Sequence, residues 1–510
     1  MRAHETGSEP PRCRGQPRRG ERCGRVSGVE PWATRQRLSG DVRRDHANCW
    51  VPCTGIGPWG ALGVERMVLG MARILKGIGN ESGFAAPRVT SIGGAGDGPA
   101  AHVARCATRC AHAGAGTGDG APLATPIVAT STFCRDGVGS TARHQYSRVS
   151  NPTVTALEDA LAGLEDAGGA VAFASGLAAE TALFLGLLRS GDHVVCGRGV
   201  YGGTTRLLDQ VLRGCGVGST FVDATDLGAV AAAVRPNTRL IFIETPSNPT
   251  LELTDIEGCA RIARRAGALL AVDNTFQTPV LQRPLDFGAD ISVYSTTKFY
   301  EGHSAALGGA LVTRDDGRGD VLERLRFIRK CTGAIQNPHA AADTIRGIKT
   351  LAIRLATQSQ TAATVAGWLS GGLSGRDGVE RVCHPGVAQG ETQQGIAARQ
   401  HHRASEGLHG AVVTFEVAGG IAGARAFCAS LELCRVAEHV GSVETLVTHP
   451  ATMTHADVAP ADRERAGISD GLLRLSVGLE DPGAIIEDIQ RGLSAAAASF
   501  EREAVRHGVA

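Results

Sequence analysis

The chain has 510 residues, of which 43% are hydrophobic and 20% charged. That is enough for two or three domains with sizeable cores and an ordinary composition for a globular enzyme. A formal net charge of +1 argues against a nucleic-acid or strongly acidic partner, and no run of about 18 apolar residues predicts a helical membrane span.

Charge is spread unevenly. Residues 1–110 hold 17 Lys and Arg against 9 Asp and Glu, an imbalance set in Arg, Gly, Pro and Cys with little periodicity. Residues 1–107 therefore read as a basic, low-complexity, disordered leader. Met67 and Met71 offer alternative starts, and Glu5, Glu9, Glu21 and Glu30 count against a transit peptide. The arginines lack the aromatic interleaving of a nucleic-acid surface. The 14 cysteines show no secreted framework, which implies free thiols and a cytoplasmic location. Cys49 and Cys53 share their spacing with Cys106 and Cys110, but the pairs are too far apart in unpatterned sequence to suggest zinc.

Beyond the leader, an arm is expected from Thr108 to Arg148. A helix follows Asn151-Pro152, with Ala156, Leu157, Ala160, Leu161 and Leu164 at helical spacing. Apolar strands and helices then alternate to about Thr350, the rhythm of a mostly parallel α/β sheet. Residues 108–350 read as the arm and large domain. Residues 351–510 read as a smaller C-terminal α+β domain, entered by one long helix from Arg346 to Trp368. That domain is expected to have strands near 410–417 and 472–477, a final helix from Pro482 to Arg506, and glycine-rich joins at Gly371, Gly372, Gly375 and 386–390.

Four segments carry chemistry. Phe173 to Leu177 is a small-residue turn opening an apolar helix, whose free N–H groups and positive dipole end suit a phosphate. Tyr201-Gly202-Gly203-Thr204 follows a strand-like His193 to Cys196, so its ring can stack on a bound group. Asp273 ends an apolar strand, where a carboxylate can hold a ring nitrogen protonated. Lys298 follows the apolar run Ile291 to Tyr294, among Ser295, Thr296 and Thr297 and before Gly302. Such an amine can be desolvated and bond to an aldehyde. Taken alone, each also reads as an ordinary turn, core tyrosine, capping acid or loop lysine.

Together with Tyr146-Ser147-Arg148, Asn151-Pro152-Thr153, Glu244 to Pro249 and Arg474 to Gly478, these segments resemble the cysteine and methionine metabolism family of pyridoxal phosphate enzymes. The resemblance runs from about Thr108 to the C-terminus and is nearest to the cystathionine γ-lyases and γ-synthases. It implies the PLP-dependent transferase fold type I and pyridoxal 5'-phosphate as cofactor. Lys298 would carry the cofactor covalently and move protons, Asp273 would pair with the ring nitrogen, and Tyr201 would stack on the ring and offer an acid. Gly176, Leu177, Ser295 and Thr297 would bind the phosphate, with Thr275 beside the cofactor. Arg474 would clamp the substrate carboxylate, and Asn248 would sit near the phenolic oxygen. Tyr146 and Arg148 would reach a neighbouring subunit's phosphate, making a homodimer the minimal unit and a tetramer the expected assembly.

Substrate preference rests on fewer positions. Relatives acting on cystathionine carry a glutamate where Glu438 stands, and Arg206 matches an arginine directed at a distal carboxylate. Both imply a substrate with a second amino-acid head, in γ-elimination or γ-replacement. His439 stands where the family usually has serine, and is expected near the substrate carboxylate with an altered preference. A nicotinamide dehydrogenase is disfavoured by the missing Gly-x-Gly-x-x-Gly. A non-catalytic scaffold is disfavoured because Lys298 and Arg474 remain.

Overall fold

The computed structural model describes residues 99–507, except 315–319, 372–377 and 388–389. Most of the expected leader, with Cys49, Cys53, Met67 and Met71, lies outside the described residues. Its last part is helical: Pro99–Ala111 forms a helix that buries Cys106 and Cys110 in the core. Helical order thus begins before residue 108. Cys106 and Cys110 are free thiols, and no cluster of metal ligands occurs among the described residues.

The helix Pro152–Leu164 starts where its sequence dictates. The Asn151 side chain accepts the Thr153 N–H at 2.9 Å, and proline occupies the first turn. Its expected apolar stripe is buried.

The large sheet has seven strands: β1 Gly169–Phe173, β2 His193–Gly197, β3 Gly218–Val222, β4 Thr238–Glu244, β5 Leu269–Asp273, β6 Ile291–Tyr294 and β7 Gly309–Thr313. Their order is β1-β7-β6-β5-β4-β2-β3, with β7 antiparallel to both neighbours and the rest of the ladder parallel. Helices cover both faces, so β1, β2, β5 and β6 read as near-continuous apolar runs in place of an alternating pattern. Each fully buried Leu or Phe between these layers contributes roughly 1.5–3 kcal/mol.

A second sheet of five strands is ordered β10-β11-β12-β9-β8. It is built from β8 Val379–Cys383, β9 Val412–Val417, β10 Arg435–Val436, β11 Leu446–Thr448 and β12 Leu472–Ser476. Val413, Phe415, Leu473 and Leu475 pack there against the helices Leu351–Gly371 and Pro482–His507. Among the described residues, no helix is long and apolar enough to cross a membrane.

The single helix expected from Arg346 to Trp368 is two helices, Pro338–Ile348 and Leu351–Gly371. At the break Gly347 O accepts the Thr350 N–H at 3.2 Å, and Arg354 adds a second donor. Its buried guanidinium donates to Gly347 O at 2.8 Å and to Phe299 O at 3.0 Å, taking a carbonyl at the end of the first helix. The same contact braces the loop that carries Lys298.

Candidate active site

The carboxyl ends of β2, β4, β5 and β6 converge on one cavity of about 240 Å³, the place where parallel sheets hold ligands. β5 delivers Asp273 and, just beyond, Thr275; the turn after β6 delivers Ser295, Thr297 and Lys298; the turn after β2 delivers Tyr201. From the second sheet β12 delivers Arg474, and the segment after β10 delivers Glu438. A larger cleft of about 600 Å³ adjoins it and shares Glu244 and Asn248. It contains no lysine, so the chemistry belongs to the smaller cavity.

Local sequence explains the lysine's seat. The chain leaves β6 through tight turns in which Lys298 N–H donates to Ser295 O at 3.2 Å and Gly302 N–H to Lys298 O at 2.9 Å. Burial, then the charge of Arg474, lowers the lysine pKa to about 8, while Glu438 pulls the other way. The amine lies 3.3 Å from His439 Nδ1.

Asp273 is buried, and desolvation pushes its pKa up to about 6 even though Thr275 N–H donates to its Oδ1 at 2.9 Å. A buried carboxyl facing a cavity suits a cationic ring nitrogen. On the turn after β1, Ser175 caps the helix Gly176–Leu187 by accepting the Ala178 N–H at 3.1 Å. Gly176 and Leu177 occupy the first turn, whose N–H groups have no partner within the helix. A Cβ on Gly176 would lie 3.0 Å from Ser295 Cβ, so a larger residue would push this turn away from the lysine loop. Thr297 Oγ1 is tied to Gly308, accepting its N–H at 2.9 Å.

Arg474 is 4% exposed. Its Nη1 donates to Asn248 Oδ1 at 2.8 Å and its Nη2 to Thr448 Oγ1 at 3.2 Å. Burial lowers its pKa to about 10, against the pull of Glu244 and Glu438. Its Nε is buried without a hydrogen-bond partner among the described residues, a donor left for a carboxylate. This set fits pyridoxal phosphate and an amino acid: an amine, an acid for the ring, helix N–H donors for a phosphate and a guanidinium for the carboxylate.

Four of the expected residues are not among those lining this cavity. Tyr146 and Arg148, expected at a neighbouring subunit's phosphate, stand apart from it; Arg148 stacks over the Tyr146 ring at 5.3 Å and donates to Lys330 O at 2.7 Å. Arg206 turns away to pair with Asp457 at 3.2 Å, partly in solvent, so the structure does not bring it to the substrate side. His439, expected near the substrate carboxylate, turns its ring to the lysine amine and its backbone oxygen to Arg474.

Two cavity acids were missed. Glu180 is buried, its Oε2 unpartnered, and desolvation with the charge of Asp273 raises its pKa to about 8. Glu244, the register partner of Asp273, is likewise raised by burial and by Asp273, and accepts the Tyr201 N–H at 2.7 Å. A lone acid in the otherwise apolar helix Gly176–Leu187 was the available signal for Glu180.

Residues 107–494 match the sequence profile of the Cys/Met metabolism PLP-dependent enzymes. Cystathionine γ-lyase of Bacillus subtilis is 41% identical over 371 residues, covering 73% of this chain and 94% of the relative. L-methionine γ-lyase of Pseudomonas putida is 40% identical over 402 residues, covering 77% and 98%. Cystathionine γ-synthase of Mycobacterium tuberculosis is 41% identical over 392 residues, covering 76% and 96%. Among solved structures, cystathionine γ-synthase of Xanthomonas oryzae pv. oryzae in complex with cystathionine superposes with a TM-score of 0.72 at 38% identity, covering 77% of this chain and 99% of that one. With its parallel sheet, second sheet and lysine-bearing cavity, the chain belongs to the Cys/Met metabolism family of PLP-dependent enzymes, fold type I.

Proposed function

We propose that this enzyme is a cystathionine γ-lyase, converting cystathionine and water to cysteine, 2-oxobutanoate and ammonia. The observation that carries this reading is the pairing of Arg474 and Glu438 on one cavity: a guanidinium for one carboxylate and a carboxylate for a second, distal ammonium. Methionine has no such ammonium.

Bound in the cavity, pyridoxal 5'-phosphate supplies an electron-poor ring that takes up the electron pair left when a proton leaves the neighbouring carbon. Asp273 would hold the ring nitrogen cationic. Gly176 and Leu177 N–H groups, with Ser295 and Thr297, would hold the phosphate, and Tyr201 would pack against the ring. Arg474 fixes the substrate carboxylate, with Asn248 held beside it. Lys298, driven toward the neutral amine by burial, removes the α proton and then serves the β position. Tyr201 gives a proton to the departing sulfur, while Glu438 holds the distal head in place.

γ-Synthase or O-acylhomoserine sulfhydrylase activity is the second reading. It stands on the equal 41% identity to a γ-lyase and a γ-synthase, since both reactions use nearly every group named above. Offering the holoenzyme cystathionine, an O-acylhomoserine with cysteine, and methionine separates the readings by their products. We expect 2-oxobutanoate chiefly from cystathionine. Glu438→Ala is expected to raise KM for cystathionine about tenfold, the value of one charge-assisted contact, and to leave methionine turnover little changed. 2-Oxobutanoate formed chiefly from methionine would overturn the assignment.

A further inference from the structure

The lysine amine has a neighbour that none of the roles above uses. His439 Nδ1 stands 3.3 Å from Lys298 Nζ, and the other ring nitrogen, Nε2, is buried without a partner among the described residues. A neutral imidazole has one donor and one acceptor nitrogen. With a pKa of about 8 the amine is chiefly an ammonium at neutral pH, which only donates; Nδ1 then accepts, and the ring proton lies on Nε2.

Several contacts fix this arrangement. Gly441, at φ +84°, brings the 438–443 segment against the lysine loop so closely that a Cβ there would lie 2.5 Å from Phe299 N. Val443 N–H donates to Gly302 O at 3.0 Å, and Ser304 Oγ donates to Ser442 Oγ at 3.1 Å. His439 also accepts from Arg474 Nη2 at 3.4 Å through its backbone oxygen. One residue thus touches the working amine with its ring and the carboxylate clamp with its backbone.

We propose that His439 is a positioning residue for Lys298: its Nδ1 lone pair accepts an amine N–H and aims the remaining valence of Nζ at the reacting carbon. This rests on the reading of Lys298 as the working amine. The ring stays neutral because burial, then the charges of Lys298 and Arg474, lowers its pKa to about 4, with Glu444 opposing. Lys298 also feels Arg474 and Glu438, and Asp273, Glu180, Glu244 and Tyr201 share its cavity. These groups remain constant in the variants below. Leucine removes the acceptor at similar bulk, whereas asparagine keeps an acceptor oxygen that does not titrate.

Two readouts test the proposal: the pH midpoint of the holoenzyme's visible absorbance, which follows the proton on Nζ, and the separate values of kcat and KM. In His439→Leu the protonated nitrogen loses a hydrogen-bond partner, so the midpoint should fall by about one pH unit. kcat should drop about tenfold while KM changes less than about twofold. His439→Asn should return the midpoint and most of kcat toward the unaltered enzyme. An unmoved midpoint in His439→Leu, or an asparagine variant displaced as far as the leucine one, would overturn it. A holoenzyme with no visible band would instead sink the reading of Lys298.

Discussion

Arg474 shows what a single side chain does beyond carrying charge. β12 holds its guanidinium buried, with Asn248 and Thr448 using two of its donors and Nε left over. A planar fork can grip a carboxylate through two parallel bonds, and an ammonium cannot. Arg474→Lys would also leave Asn248 Oδ1 and Thr448 Oγ1 with poorer partners. We expect kcat/KM to fall on the order of a hundredfold, in line with the loss of a buried, hydrogen-bonded charge contact. Far-UV circular dichroism should stay unchanged. A fall of less than about threefold would mean that the carboxylate is gripped elsewhere. Lys298 and Asp273 were legible in the sequence because strand ends and small-residue turns mark them, whereas Arg474, in the middle of β12, was reached only through the family resemblance. Glu180 and Glu244 were not, because residue type alone does not say that an acid is buried beside another. Arg206 was expected to face a distal carboxylate, and here its long side chain pairs with Asp457, a tertiary contact that the sequence does not mark.

At the scale of elements, the expected strand Ile291 to Tyr294 matches β6 residue for residue, and the expected strand Ala268 to Val272 is shifted by one residue at each end in β5. Apolar runs bounded by turn residues leave little freedom there. The divided helix at 348–351 was hidden because Arg354 reaching Phe299 and Gly347 is a tertiary contact, and only the local Thr350 bond to Gly347 O accompanies it. The long connection between β8 and β9 hides another device, a cluster of buried histidines. His401 Nδ1 lies 3.0 Å from His409 Nδ1, and Gly386 N–H donates to His384 Nδ1 at 3.1 Å. Desolvation lowers the pKa of all three, for His384 to about 4. A folded pKa below the unfolded value of about 6.5 means that the unfolded chain binds the extra proton. The neutral rings therefore contribute full stability above about pH 6.5, which is lost as pH falls toward about 4. For His384 the amount is on the order of 3 kcal/mol. Buried carboxyls act in the opposite sense: Glu165 at about 7 and Glu180 at about 8 gain protons on folding. A difference measurement removes them. The gap in urea midpoint between the unaltered protein and His384→Asn should be widest at pH 7 and shrink toward pH 4. A gap constant with pH would refute the account.

The whole molecule raises the question of where one active site ends. Tyr146 and Arg148 lie on the arm before the helix Pro152–Leu164, and neither lines the cavity of its own chain. Tyr146 is 43% exposed, and Leu123 and Val138 nearby stand in the open. An arm that shows apolar and aromatic side chains to solvent is incomplete as a monomer surface. From the resemblance we propose a two-fold dimer in which this Tyr and Arg complete the phosphate site of the partner. We therefore expect Arg148→Ala and Lys298→Ala to be nearly inactive for separate reasons. Once mixed and allowed to exchange subunits, the two should regain activity. In a mixed dimer with isologous exchange, one site receives both lesions and the other receives neither. Half of randomly paired dimers are mixed, and each has one intact site of two, so recovery should approach about a quarter of the unaltered activity. If Arg148 served only its own chain, every site in the mixed dimer would carry one lesion and no activity would return. The experiment thus distinguishes a shared site from a self-contained one without requiring knowledge of the substrate, because any turnover assay suffices.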